Sequence, residues 1–246
     1  MKIITTSVLM LWIAAISFGA PFDSVKVKTR KSSPIRVTMR MHSMGLFSFG
    51  GRLVSQNPVM DININYNRKA WGLQVFKAVD MNDGKSPINF TLAVVNKTFH
   101  IRKAVTITPS AGAIFEQYES VADHGSDVVA IVATAVKLNK YFTVEHTALF
   151  GNLVLEPEMR DWVNRLRLMY SSGHFDVTLF GWHNNSVFDS SEYVTTGASI
   201  FYSRLKLADR VAMQAGVTGL VMAYSSDEAA VAKANGVFVT LGFVVN

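Results

Sequence analysis

From about Ile35 to Asn246 the chain is built of twelve short runs in which apolar and polar residues alternate. The connections between them are alternately short and long. A side-chain period of two is what extended backbone imposes, and most runs approach the 9–11 residues that a tilted strand needs to cross hydrocarbon. Ile35, Val37, Met39 and Met41 alternate with Arg36, Thr38, Arg40 and His42, and Ile62, Ile64 and Tyr66 with Asp61, Asn63 and Asn65. Phe90, Leu92 and Val94 oppose Thr91, Ala93 and Val95, with the first row assigned to the apolar side. Val128 to Leu138 is apolar on both faces and carries no facing signal. The chain ends with Val237, Val239, Leu241, Phe243 and Val245 facing away from Thr240 and Gly242. The pattern predicts an all-β protein, a closed antiparallel transmembrane barrel of about twelve strands over residues 35–246.

Alternation alone would also suit a soluble sandwich, which has one apolar face. Other features argue for lipid. The apolar faces are long and almost free of charge, and Tyr66, Trp71, Tyr141, Trp162, Tyr170, Tyr193 and Tyr224 cluster near run ends, the depth of the water interface. Pro109 lies inside the fifth run and is expected to mark a bulge. Short links fall at Asn67–Lys69, Thr98–Arg102, Asn139–Tyr141, Ser171–Gly173 and Lys206–Asp209, with longer ones between them. Twelve of the eighteen acids lie on or beside the long links, while Arg68, Lys69, Lys97, Arg102, Lys137 and Lys140 lie at the other end. Short periplasmic turns and longer external loops explain that sorting.

Residues 1–19 read as a signal peptide. Lys2 is followed by the apolar run Val8 to Ile16, too short to span, and by Ser17 and Gly19 at −3 and −1. Residues 20–34, with Lys26, Lys28, Arg30 and Lys31, read as a basic N-terminal segment. The chain has no cysteine, which excludes disulfides and thiolate metal sites.

The stretches at 137–151, 202–216 and 236–246 resemble the strand–turn–strand units of Gram-negative outer-membrane β-barrels. That resemblance implies a multi-pass outer-membrane protein with lipid and lipopolysaccharide as neighbours and the barrel-insertion machinery as a partner in biogenesis. Such barrels usually end in an aromatic residue; here Asn246 is last and Phe243 lies three positions earlier.

The interior is expected to carry Arg36, Arg40, Arg165, Arg167 and Arg210 against Asp61, Glu145 and Asp176, an excess of 5 − 3 = +2. Arginine forks bind carboxylate and phosphate in bidentate fashion, so one reading is a narrow passive channel for small anionic solutes. Small twelve-stranded porins for acidic saccharides resemble this in using basic tracks. The other reading is an internal ion-pair network that closes the bore of a structural or adhesive barrel. A net charge of +6 brings no nucleic-acid motif with it, the six histidines show no metal spacing, and no cofactor is expected. A lipid-modifying barrel enzyme is a remote third reading. RDWVNRL (160–166) resembles the stretch around the active-site Asn of the outer-membrane phospholipase, and His146 and Asn164 would both face lipid. Ala148 stands where that family has its serine, so the nucleophile is missing.

Overall fold

The computed structural model describes residues 33–45, 57–81, 89–116, 127–151, 153, 161–186, 192–226 and 235–245. The alternating runs form strands β1 (Ile35–His42), β2 (Val59–Arg68), β3 (Trp71–Asp80), β4 (Asn89–Lys97), β5 (Phe99–Arg102), β6 (Val105–Glu116), β7 (Asp127–Lys137), β8 (Phe142–Gly151), β9 (Asp161–Ser172), β10 (Phe175–Ser186), β11 (Glu192–Ala208), β12 (Val211–Ser225) and β13 (Gly236–Val245). All pairings are antiparallel, β1 pairs with β13, and β4 pairs with β6, so the sheet closes on itself. β5 continues β4 beyond Thr98, and both lie against β6 in one register, Asn96 opposite Ser110 and Phe99 opposite Ile107. The barrel therefore has twelve staves, the number the sequence predicts. The expected signal peptide, the expected basic segment up to residue 32 and most of the long loops lie outside the described residues.

Pro109 does not make a bulge. It keeps its regular partner Val132 on β7 with no register shift. Lacking an N–H, it cannot complete the ladder on its other side, where pairing stops at Ser110 and resumes at Ile107. A missing rung splits the stave into β4 and β5. Thr98 is held there by its amide on the Ala70 carbonyl, 2.7 Å, and by a hydroxyl contact with Thr108, 3.2 Å. The short link expected at Thr98–Arg102 is accordingly strand from Phe99 on, and the turn lies at Lys103–Ala104. The larger register shifts are between β11 and β12, near Thr195, Leu205 and Ala208.

Four tight hairpins, at Lys69–Ala70, Lys103–Ala104, Gly173–His174 and Asp209–Arg210, stand at one end of the barrel. Gly173 and Lys69 take positive φ, 56° each, as the first central residue of such a turn requires. In the fifth turn Asn139 Oδ1 accepts from the amides of Tyr141 and Phe142, 2.8 and 2.9 Å. Aromatic rings mark the same end on the outer wall. Lys97 lies 5.0 Å from the rings of both Trp71 and Phe99, and Lys140 lies 4.6 Å from that of Tyr141. The Tyr141 hydroxyl accepts a hydrogen bond from the Lys140 ammonium and holds its pKa above the ordinary lysine value.

Along β13 the inward Phe238 and Thr240 are 4% and 0% exposed while outward Val237 and Val239 are 68% and 54% exposed. An outer face this apolar and this bare needs lipid around it. On β4 the two rows face the opposite way from the expectation. Phe90, Leu92 and Val94 are buried inward, and Thr91, Ala93 and Val95 point out. Both rows of that strand are apolar, so alternation had no sign to give. Pairing of Leu92 with Phe76 across β3 fixes it. β7 resolves in the same way, with Val129, Ile131 and Ala133 turned inward.

Gly112 on β6 sits where a Cβ would run into the Ala93 carbonyl and the Val94 backbone. Backbone cannot yield as a side chain can. Gly112→Val is expected to block closure of β4 against β6, visible as loss of the heat-modifiable folded band on unboiled gels. Gly181→Val, at a glycine with open space beside it, is expected to keep that band.

Candidate solute site in the barrel lumen

A cavity of about 660 Å³ lies inside the barrel, and all twelve staves contribute to its wall. Its lining has two layers. Toward the turns it is polar: Asn63, Gln74, Asn96, Ser110 and Thr178. Toward the loops it is apolar. Leu149, Val163, Phe180, Trp182, Leu220 and Phe238 form one packed crescent, and Leu92, Val94 and Val129 form a second, with Ile131 packed against both. On β3, β4, β9, β10 and β13 the apolar residue lies one inward step loopward of a polar one, as Phe76 does of Gln74 and Val163 of Arg165.

Two charged clusters sit where the layers meet. On β1, β2 and β13, Asp61 is wholly buried and accepts from Arg40 Nε at 2.9 Å and from His42 Nε2 at 2.7 Å. The His42 ring is completed by Thr240 Oγ1, 2.9 Å from Nδ1. With Nε2 as the donor to Asp61, a neutral ring accepts the threonine hydroxyl proton at Nδ1. On β8 and β9, Glu145 Oε1 takes hydrogen bonds from Arg165 Nη2 at 2.9 Å and from Arg167 Nη2 at 2.6 Å. Arg165 also bonds Thr147 at 3.0 Å. In the sheet order β9 lies five strands from β1 one way and seven the other. The two clusters therefore occupy nearly opposite walls of the cavity that both line.

The second cluster is unbalanced, two guanidiniums on one carboxylate, 2 − 1 = +1. A guanidinium carries five donors. Arg165 and Arg167 are joined to Glu145 through a terminal nitrogen, and the buried Nε of each has no hydrogen-bond partner. Beside them stand aromatic rings. Arg165 is the register partner of Trp182 and Arg167 that of Phe180, and the Arg165 guanidinium carbon lies 5.1 Å from the Trp182 ring centre, within cation–π range.

Of the residues expected inside, Arg40, Arg165, Arg167, Glu145 and Asp61 come together in these clusters. Asp176 keeps the inward face of β10, closer to the turns, and accepts from Ser171. Arg36 shares the inward face of β1 and lies exposed at the turn-side rim. Arg210, expected on the wall, instead belongs to the Asp209–Arg210 hairpin, just ahead of Val211 where β12 begins. Alternation read back from Gln214 carried it one residue too far into the turn. His42, Thr147, Thr240 and the apolar crescents were not singled out in the sequence. His42 and Thr240 could have been, since both share the parity of Arg40 and the interior row of β13.

The outer wall carries the residues of the lipase comparison. Ala148 lies directly opposite Asn164, whose other neighbour is His183. Beside His146 the outward position that would carry a serine holds a methyl group. Among the described residues no group of His, Asp and Glu is arranged to hold a metal ion.

No family model matches the chain, and no curated protein matches it either. Solved structures do. The NanC porin aligns with a TM-score of 0.58 at 9% identity, covering 85% of this chain and 99% of that one. The KdgM porin, solved in complex with disordered oligogalacturonate, aligns at 0.57 and 8%, covering 86% and 98%. An outer membrane channel from Pseudomonas putida aligns at 0.50 and 11%, covering 90% and 99%. At such identities the likeness is one of fold, and it extends over nearly the whole length of each neighbour: the chain has the closed twelve-stave barrel fold of small outer-membrane porins.

Proposed function

We propose that the protein is a narrow passive channel of the outer membrane for small anionic solutes. The carrying observation is the cavity inside the barrel, lined by all twelve staves, in which Arg165 and Arg167 outnumber the single carboxylate they share. On the facing wall Arg40 is balanced by Asp61, so the excess charge is that of the Glu145 cluster. Positive groups in a partly desolvated bore lower the cost of an anion and raise that of a cation. The barrel's fold neighbours support passage through the lumen; one of them, KdgM, was solved with an oligomeric acid sugar. In planar bilayers the purified protein is expected to give a small conductance with anion-selective reversal potentials. The preference should shrink as salt rises, because the screening length falls to about 3 Å at 1 M.

A structural or adhesive barrel with a closed lumen is the second reading. It is favoured by the fact that Arg40, Arg165 and Arg167 all hold carboxylates. A bilayer record with no conductance would select it.

Residence in the outer membrane of a Gram-negative bacterium, among lipid and lipopolysaccharide, is part of the proposal, as is export by a leader over residues 1–19. The mature chain is expected to begin at Ala20 or within a residue or two of it. Intact-mass measurement of membrane-extracted protein checks this, and retention of Met1 contradicts it.

A further inference from the structure

We infer that the lumen holds a binding site for a monoanion with an apolar body, its carboxylate on Arg165 and Arg167 and its hydrocarbon or ring against Phe180, Trp182 and the crescent above them. The inference rests on the channel reading and narrows its solute class.

A bore meant only for hydrated ions or sugar acids has no use for buried hydrocarbon. Hydroxyl groups need partners at every face, and this collar offers almost none. Phe180, Trp182, Leu149, Val163 and Phe238 are each 4–8% exposed, turned into the barrel and in mutual contact. The cavity of about 660 Å³ falls within the size range of small-molecule pockets, and its wall carries both polar and apolar side chains, segregated into layers.

The cations a carboxylate needs on this wall, Arg165 and Arg167, stand on the seam between the polar and the apolar layer. Arg167 is the register partner of Phe180 and Arg165 of Trp182, so each cation has an aromatic ring at its side. A molecule held by its carboxylate at the arginines would extend loopward along the crescent. On the opposite wall the collar is interrupted by His42, Asp61 and Arg40, which already satisfy one another. Arg165 and Arg167, which line the cavity and outnumber the carboxylate they share, are thus on the same wall as the crescent.

The test compares two acids of similar ring size, cyclohexanecarboxylate and glucuronate, each with one carboxylate. Equilibrium binding is measured to the full barrel in lipid nanodiscs, with empty nanodiscs subtracted. Burial of the ring predicts that cyclohexanecarboxylate binds at least about tenfold tighter than glucuronate. It should also bind well above neutral cyclohexylmethanol. Equal or stronger binding of glucuronate overturns the inference, and so does equal binding of the alcohol. Phe180→Gln with Phe238→Gln should abolish the preference for the cyclohexyl acid; a preference that persists in this folded variant overturns the assigned location. Should that variant fail to fold, the comparison of acids on the native barrel decides alone. Bilayer conductance is read separately. Selective binding without conductance would keep this site and reject the channel, and conductance without selective binding would do the reverse.

Discussion

Arg165→Ala combined with Arg167→Ala is expected to reverse the ion preference of the lumen, from anions to cations. The pair shares Glu145, so the variant changes that cluster from +1 to −1 and leaves a carboxylate facing the bore. At an effective dielectric near 20, a unit charge acts on an ion about 4 Å away with about 4 kcal/mol. Water and salt in the bore screen much of this, yet a tenfold change in permeability ratio needs only about 1.4 kcal/mol. Reversal potentials in a potassium chloride gradient should therefore shift by at least about tenfold in the chloride-to-potassium ratio. Arg165→Lys with Arg167→Lys keeps the charge and should retain anion preference. An unchanged ratio in the alanine variant would remove these residues from the ion path.

Asp61→Ala is expected to be the most destabilising single change in the wall. The side chain is 0% exposed and is the acceptor for both Arg40 and His42. Without it a guanidinium loses its counter-charge and a buried imidazole N–H its acceptor. Breaking a buried pair from one side costs about 3–5 kcal/mol. Urea unfolding from lipid vesicles, followed by tryptophan fluorescence, should show the loss. Asp61→Asn keeps one acceptor oxygen and should fall between the two. A cost below about 1 kcal/mol would mean that the cluster is wetter than its burial implies.

The barrel was legible because lipid forces a strict rule on the outer face. Where the lumen is polar, as along β1, β2, β9 and β13, the alternation has a sign and the inward arginines can be named from it. Where the lumen is apolar the rule loses its contrast. Phe90 and Leu92 look like lipid-facing residues beside Ala93 and Val95, and Val129 to Val136 gives no facing at all. Only cross-strand register decides those strands, and register is a long-range property. Arg210 and Pro109 failed for local reasons, a two-residue hairpin cut short by parity and a proline that drops one rung without shifting the ladder. The pairing of Arg40 with Asp61 follows from a strand register that no single run contains.

The loopward crescents carry one more consequence. Water inside a narrow hydrocarbon ring finds few partners and tends to leave it, and an ion crossing such a stretch must shed part of its hydration shell. The broken ring formed around Ile131, Leu149, Phe180 and Phe238 would then resist chloride more than a wholly polar bore does. A molecule that wets the same ring with its own carbon atoms meets no such barrier. The electrical resistance of the open bore would measure its dryness, and the molecules best suited to cross it would be those that carry the least current.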